Sequence, residues 1–312
     1  MKNILFFAPF SEENIKLMEV LSQDNDVTGG FWKTKALDDF SINPSFCFDE
    51  IGETMSKKLS IISSSPQEAI FIEDIKYFLN KYGFSPDTII VKGLTSDMWA
   101  FAVIHKVFSL DPCFLAILES VSLPVTEFDK DIFDQFDKIL GLNFLTLSET
   151  VDQKTKELFH IFDPSLFRNL LEFGLYNEIE GSMLVVTNSE NYDFIVDKLK
   201  NKENISIING FICPQEELVI YLNIHEYVVD CTECEEFGYV LSRMGKISIS
   251  WKEFEDSNFN YNIGEDFYLY KNYRKNLVKF CEYLKKGICD ILENYKSRIK
   301  VVNGTDIQIE EK

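Results

Sequence analysis

Basic residues are scarce in this sequence, with 31 Lys and Arg against 51 Asp and Glu and a formal net charge of −20. Broad, sequence-independent nucleic-acid binding depends on neutralising phosphates with basic side chains, so this balance argues against it. Uncharged apolar runs are short as well, and none approaches the roughly 20 residues that cross a bilayer as a helix. We therefore expect a cytoplasmic protein.

Paired metal-binding or disulfide motifs are also lacking. The seven cysteines are irregularly spaced, which is typical of reduced, mostly buried thiols. Cys231 and Cys234 have the spacing Cys-x-x-Cys, but a zinc site needs a second pair, and only Cys213 lies near. Glu233 and Glu235 disfavour a thiolate there, so redox or metal chemistry is the minor alternative. No Asp-x-Asp motif stands at a strand end, and we predict neither a metal nor a cofactor.

The sequence is rich in short apolar runs that alternate with amphipathic ones, a pattern typical of βαβ units on a parallel sheet. At 312 residues, 46% of them apolar, the chain is long enough for two domains, each built of several such units. The strands predicted in the first half are Asn3–Phe7, Asp26–Phe31, Leu59–Ile62, Asp87–Val91, Phe114–Leu118 and Lys138–Leu142. Those predicted in the second half are Met183–Val186, Ile205–Ile208, Tyr227–Val229 and Ile247–Ile249.

We therefore predict an α/β protein with two Rossmann-like domains and a cleft between them. The first domain covers residues 1–175 and ends in a linker. In that linker, Thr155–His160 and Ser165–Phe173 are predicted helices, separated by Asp163-Pro164. The second domain covers residues 176–270.

Residues 271–312 form the last predicted unit, a long helix followed by a polar tail. The helix, about 272–299, has one apolar stripe and a face rich in Lys and Arg. Its main interpretation is a packed helix with a solvated basic face. The alternative is peripheral contact with a membrane surface.

Several strings resemble glycosyltransferases of the GT-B fold. FDQFDKILGLNFLT at 133–146 resembles the end of that family's first domain, and HIFDPSLFR at 160–168 resembles its linker. GSMLVVTN at 181–188 resembles the first strand of its second domain. The closest part is NISIINGFICPQEELVIYLNIHEYVVDCTECEEFGYVL at 204–241. The resemblance is spread over most of residues 3–300 and implies the GT-B architecture.

The resemblance also implies a nucleotide-sugar donor on the second domain. Phe211 and Ile212 would border the base, and Glu235 or Glu236 the ribose hydroxyls. The diphosphate would face the backbone amides that open a helix at Phe237, a position where free N–H groups favour anions. The structural alternative is a packing glycine at 238 behind an acidic first turn. The full set of predicted donor residues is Thr187, Asn188, Gly210, Phe211, Ile212, Thr232, Glu235, Glu236, Phe237, Gly238, Tyr239 and Arg243.

The sequence differs from the family in lacking a pair of basic residues. Retaining members usually carry a basic pair after the first strand of the second domain, but residues 187–190 are Thr-Asn-Ser-Glu. A diphosphate leaving group without nearby cations loses a major stabilising contact in the transition state. Arg243, Lys246 or Lys92 are the candidates to replace the missing pair.

The acceptor side is predicted from two carboxylates at strand exits of the first domain. Glu119 follows the strand Phe114–Leu118 and could act as general base on an acceptor hydroxyl. Asp97 is the second candidate, and a helix N-cap is the alternative role for it.

The resulting hypothesis is a glycosyltransferase that moves a sugar from a nucleotide-sugar donor to a hydroxyl of a glycan or another acceptor. The first alternative is a catalytically inactive partner or scaffold subunit of the same shape, since the basic pair is missing. The second is a nucleotide-sugar 2-epimerase. The strand exit at Asp230-Cys231-Thr232 resembles the corresponding strand exit in those enzymes, which usually has the sequence Asp-Ser-Gly-Gly.

Overall fold

The computed structural model describes residues 1–32, 57–82, 86–108, 112–118, 127–142, 154–171, 174–256 and 273–294. Within these ranges the chain forms two parallel sheets covered by helices, which confirms the predicted α/β class. The division into two domains and the cleft between them stay predictions. Among the described helices, none has the length and apolar character to cross a bilayer.

The first sheet has seven strands in the order β3-β2-β1-β4-β5-β6-β7, all parallel. All six strands predicted in the first half are present, within two residues at each end. The strands are β1 (Asn3–Pro9), β2 (Asp26–Trp32), β3 (Leu59–Ile62), β4 (Thr88–Gly93), β5 (Cys113–Leu118), β6 (Lys138–Gly141) and β7 (Thr155–Glu157). The helices between them are α1 (Glu12–Leu21), α2 (Phe71–Tyr82), α3 (Thr95–Phe108) and α4 (Glu127–Phe133).

The second sheet has four strands in the order β11-β10-β8-β9, also all parallel. The four strands predicted in the second half are confirmed, with longer bounds. They are β8 (Ile179–Thr187), β9 (Ile205–Asn209), β10 (His225–Cys231) and β11 (Ile247–Ser250). The helices are α5 (Tyr192–Leu199), α6 (Gln215–Ile224), α7 (Glu235–Arg243), α8 (Trp251–Asp256) and α9 (Tyr273–Asn294).

Local sequence explains the best-defined elements. β1, β4 and β5 are almost wholly buried, as expected for parallel strands covered on both faces. Ser11 caps α1, since its hydroxyl accepts the Asn14 N–H at 3.2 Å. These two features determine how α1 leaves the carboxyl end of β1.

One hydrophobic core joins the two sheets. It contains residues from the first sheet such as Leu115, residues from the second such as Val186, and Leu284 of α9 between them. α9 packs against both α1 and α7. The long C-terminal helix is therefore a packed element over its described length, as the main interpretation of its apolar stripe predicted.

The linker differs from the prediction. Thr155–Glu157 is the edge strand β7, and residues 165–171 form turns rather than a helix. Side chains hold the linker backbone in its non-helical shape. Asp163 accepts the N–H of Ser165, and Asn223 of α6 accepts the N–H of Leu170 at 2.8 Å.

Candidate functional site

A cavity of about 680 Å³ lies at the carboxyl ends of the second sheet. The strand order of this sheet reverses between β8 and β10, and ligands of open α/β sheets bind at such a reversal. Asn191 after β8, Asp230 in β10 and Ser250 of β11 all line the cavity. A depression in the surface therefore lies beside the strand ends from which the donor site was predicted.

The first turn of α7 forms one wall of this cavity through Glu235, Gly238 and Tyr239. A Cβ atom built on Gly238 would meet no atom within 4 Å, so the helix presents bare backbone at this point. The Phe237 and Gly238 N–H groups donate to the Cys234 carbonyl at 3.1 and 3.4 Å, so the attraction of this helix N-terminus for an anion comes from its partial positive charge. This wall can therefore receive an anionic or hydroxyl-bearing group.

Another part of the cavity lining is aromatic. Phe194 of α5 and Trp251 of α8 line it, with ring centroids 6.4 Å apart at an interplanar angle of 70°. Flat apolar surfaces of this kind suit a sugar ring or a base.

The charge of the cavity is mostly negative. Asp230, Glu233 and Glu235 line it together with one lysine, Lys279 of α9. Burial raises the pKa of the Asp230 carboxyl above its ordinary value, and the hydrogen bonds from Thr232 oppose this shift.

Tyr239 connects the cavity to α9. Its hydroxyl donates to the Glu235 carboxylate at 2.6 Å, and its ring stacks on Tyr283 with centroids 3.9 Å apart. Burial, and after it the hydrogen bond to Glu235, raise the pKa of the Tyr239 hydroxyl to about 12. The hydroxyl therefore stays protonated at neutral pH and acts as a donor.

The two adjacent glutamates of α7 have different environments. Glu235 lines the cavity, whereas the carboxylate of Glu236 accepts the backbone N–H groups of His160, Ile161 and Phe162. The sequence left open which glutamate would meet the ribose. The geometry favours Glu235 for that role.

Arg243 lies at the other end of α7. Eight residues of helix separate it from Glu235, a rise of about 12 Å. Its guanidinium is buried, donates to Glu13 at 2.7 Å and to the Pro164 carbonyl, and lies over the Phe280 ring. The structure thus directs Arg243 away from the cavity.

The other candidate cations are engaged as well. Lys92 is 1% exposed and donates to Glu13 at 3.0 Å and to Asn14 at 2.7 Å. Lys246 is buried against Glu178 and the His225 carbonyl. Neither lysine is among the residues that line the cavity.

The remaining predicted donor residues fall into exposed and buried groups. Phe211 and Ile212 are 42% and 72% exposed, and the Phe211 ring lies 5.8 Å from that of Phe162 in the linker. They stay predicted neighbours of a base. The others are buried or engaged in local hydrogen bonds: Thr187, Asn188, Gly210, Thr232 and Phe237.

The two predicted catalytic carboxylates differ in what the structure describes. Glu119 lies outside the described residues, so its role stays a prediction. Asp97 is buried in the first turn of α3, where its carboxylate accepts the Leu94 N–H at 2.9 Å and the Gln67 amide at 2.7 Å. Asp97 is thus not the N-cap residue itself but the third residue of α3, and it caps the helix start by accepting the N–H of Leu94, the residue before the helix.

Sequence reasoning missed Lys279 and Trp251 as cavity residues. Lys279 had a signal, because it belongs to the basic face of the C-terminal helix. Trp251 had none, since it begins α8 in a stretch without clear periodicity. Among the described residues, no cluster of His, Cys, Asp or Glu is placed to hold a metal ion.

Comparisons with known proteins return structures only. No model of a protein family and no curated protein sequence matches the chain. The chain is similar to UDP-GlcNAc 2-epimerase from Methanocaldococcus jannaschii, at 15% identity and a TM-score of 0.36, over 90% of this chain and 92% of that one. It is similar to UDP-N-acetylglucosamine 2-epimerase from Rickettsia bellii, at 11% identity and a TM-score of 0.41, over 95% and 97%.

A third similar structure is the calicheamicin glycosyltransferase CalG4, at 7% identity and a TM-score of 0.37, over 94% of this chain and 98% of that one. At such identities and TM-scores, these similarities do not identify the family of the chain. Its function has to be argued from its own residues.

Proposed function

We propose that the protein is a glycosyltransferase that takes a nucleotide-sugar donor into the cavity beside α7. The diphosphate of the donor lies at the first turn of α7, where the partial positive charge of the helix dipole favours an anion. Glu235 accepts the ribose hydroxyls, and Lys279 faces the phosphates. Glu119 is the predicted general base on the acceptor hydroxyl, which belongs to a glycan or another alcohol.

The observation that carries this proposal is the cavity of about 680 Å³ at the strand ends of a parallel sheet. Small-molecule sites typically measure about 300–1,000 Å³ and combine apolar walls with a few polar groups. Here Trp251 and Phe194 supply the apolar wall, and α7 supplies the polar one. The bare backbone at Gly238 is where a diphosphate can approach most closely.

Substitution of Gly238 tests the proposal directly. Gly238→Phe places a ring in the open space of the cavity, whereas Gly238→Ala adds a single methyl group there. Both replacements favour the helix by about 0.5–1 kcal/mol relative to glycine, so neither is expected to unfold the protein. The pair therefore separates blocked binding from lost folding.

Calorimetric titration with UDP, GDP, ADP and CDP, and with their sugar conjugates, is the measurement. We expect at least one ligand to bind the natural chain and the Gly238→Ala variant. Gly238→Phe should lose at least about tenfold in affinity, or 1.4 kcal/mol. Absence of binding to the natural chain, or unchanged binding to Gly238→Phe, would show that the proposal is wrong.

A second candidate is an inactive partner subunit of the same shape. The observation that favours it is the engagement of Arg243 and Lys92 by Glu13, which leaves one lysine against three carboxylates in the cavity lining. Sugar transfer by the purified chain alone, abolished by Glu119→Gln, would exclude this candidate. Conversion of UDP-N-acetylglucosamine without an acceptor, followed by NMR, would instead identify a 2-epimerase.

A further inference from the structure

The linker is attached to the wall of the cavity at a single carboxylate. Glu236 Oε1 accepts the His160 N–H at 2.9 Å, and Oε2 accepts the N–H of Ile161 at 2.8 Å and of Phe162 at 3.3 Å. Hydrogen bonds to an ionised acceptor are roughly twice as strong as neutral ones. These contacts therefore hold the first turn of α7 against residues 160–162.

Gln215 at the start of α6 holds the same stretch from a second side. Its amide donates to the Ile161 carbonyl at 2.9 Å, and its carbonyl oxygen accepts the Asp163 N–H at 2.8 Å. The linker backbone thus moves with the second sheet at this point. β7, the edge strand of the first sheet, ends at Glu157, three residues before His160.

A second route joins the cavity to the linker through the aromatic stack. Glu235 in the cavity accepts the Tyr239 hydroxyl, Tyr239 stacks on Tyr283, and the Tyr283 hydroxyl donates to the Leu158 carbonyl at 3.0 Å. The two routes meet in the linker, one at residue 158 and one at residues 160–162. Any ligand that draws Glu235 toward itself acts on both.

We propose that Glu236 is a positioning residue that couples occupancy of the cavity to the linker between the two sheets. It does not line the cavity, yet it sets the position of the turn that does. Donor binding that engages Glu235 shifts the first turn of α7, and Glu236 transmits the shift to the backbone of residues 160–162. This inference rests on the proposed function, because the donor is the ligand that engages the cavity.

The sequence offers a direct probe, since it contains only three histidines. Incorporation of ¹⁵N-histidine gives three backbone amide signals, and a His160→Gln variant identifies the one from His160. The amide proton of His160 is bonded to a carboxylate and should resonate downfield. In Glu236→Gln without ligand it should move upfield, and an unmoved signal would overturn the proposal at once.

The decisive comparison adds UDP, or whichever of ADP, GDP and CDP binds in the calorimetric titration. We expect the His160 amide signal of the natural chain to shift on binding, and Glu236→Gln to lose that shift. Affinity for the nucleotide should fall about tenfold in Glu236→Gln, a magnitude typical of coupling between sites. Glu216→Gln is the matched control, an exposed glutamate in the first turn of α6, and should behave as the natural chain.

The outcomes separate the two proposals. Nucleotide binding with an unmoved His160 signal and unchanged affinity in Glu236→Gln would overturn the coupling and leave the glycosyltransferase proposal standing. A loss of affinity in Glu236→Gln without a ligand-dependent His160 shift in the natural chain would also overturn it, since a purely structural role explains that result. No nucleotide binding by the natural chain would overturn both.

Discussion

Each sheet has a point at which its strand order reverses. The space beside that point is open in the second sheet and filled by side chains in the first. In the second sheet the reversal between β8 and β10 opens into the cavity beside α7. In the first sheet the reversal lies between β1 and β4, and side chains close it. Lys92 at the end of β4 reaches Glu13 and Asn14 of α1, and Arg243 reaches Glu13 from α7.

The buried cations and the open cavity therefore lie at different strand-order reversals. At the closed reversal of the first sheet, Glu13 pairs with two buried cations, Lys92 and Arg243, and this cluster links α1 and β4 to α7. The open reversal of the second sheet has room for a ligand but is lined by three carboxylates and one lysine. Lys92 and Arg243 therefore belong to the contact between the two sheets rather than to the cavity lining.

The closed reversal should be the more sensitive of the two to mutation. Glu13→Ala leaves Lys92 and Arg243 buried without their shared carboxylate, and breaking a buried pair in this way typically costs about 3–5 kcal/mol. Equilibrium unfolding in urea measures the loss. The control is Glu190→Ala, an exposed carboxylate after β8, which should change the free energy of unfolding by no more than about 0.5 kcal/mol.

A loss of less than about 1 kcal/mol in the free energy of unfolding of Glu13→Ala would be typical of an exposed ion pair. It would contradict the expectation that the closed reversal is the more sensitive of the two. Asn14 provides a second check on the same cluster. Its side chain bridges the Pro9 carbonyl and Lys92, so Asn14→Ala should also destabilise the protein, though by less than Glu13→Ala.

Sequence patterns were sufficient for the strands of both sheets, because buried parallel strands are short continuous apolar runs. Phe114–Leu118 was predicted, and Cys113–Leu118 is observed. The prediction of the linker's secondary structure was wrong for the opposite reason. β7 consists of Thr-Lys-Glu, half-buried at a sheet edge, and only its pairing with β6 makes it a strand. No pattern in the local sequence predicts such a pairing.

The location of the donor site stays a prediction, but some of the residues on which it was based line a cavity. Strand ends and the turn at Glu235–Tyr239 were visible in the sequence, and the cavity lies there. Adjacent helical residues point about 100° apart, so the sequence could not tell which glutamate faces the cavity and which the linker. Arg243 finds its partner Glu13 at a separation of 230 residues, which no single-sequence pattern reveals.

Lys279 is the lysine among the described lining residues, and its substitution tests whether the cavity binds an anionic ligand through it. Lys279→Met should weaken binding of a nucleoside diphosphate about fivefold, the scale of an exposed charge contact of about 1 kcal/mol. The weakening should shrink at high salt, since exposed charges are screened. Calorimetry at low and high ionic strength is the measurement.

Lys286→Met is the control for Lys279→Met, because Lys286 is also exposed on α9 but is not among the cavity-lining residues. Equal weakening by both variants would mean that the helix attracts the ligand only through its general charge. It would also mean that Lys279 does not compensate for the absence of Arg243 and Lys92 from the cavity.

Asp230 supplies the smallest expected effect and concerns stability rather than binding. Burial raises the pKa of its carboxyl in the folded protein above the ordinary value of 3.8. The folded state then holds this proton more tightly than the unfolded chain, so Asp230 lowers stability at high pH. That penalty is relieved as the pH falls through the folded pKa toward 3.8.

Asp230→Asn keeps an oxygen that can accept the Thr232 N–H and hydroxyl but removes the charge. The variant should therefore be more stable than the natural chain at pH 7, and urea unfolding should show this advantage vanishing below pH 3.8. An advantage that grows toward low pH would mean that Asp230 is better stabilised as a charge than its burial implies. The open reversal would then hold a favourable carboxylate, as the closed one does at Glu13.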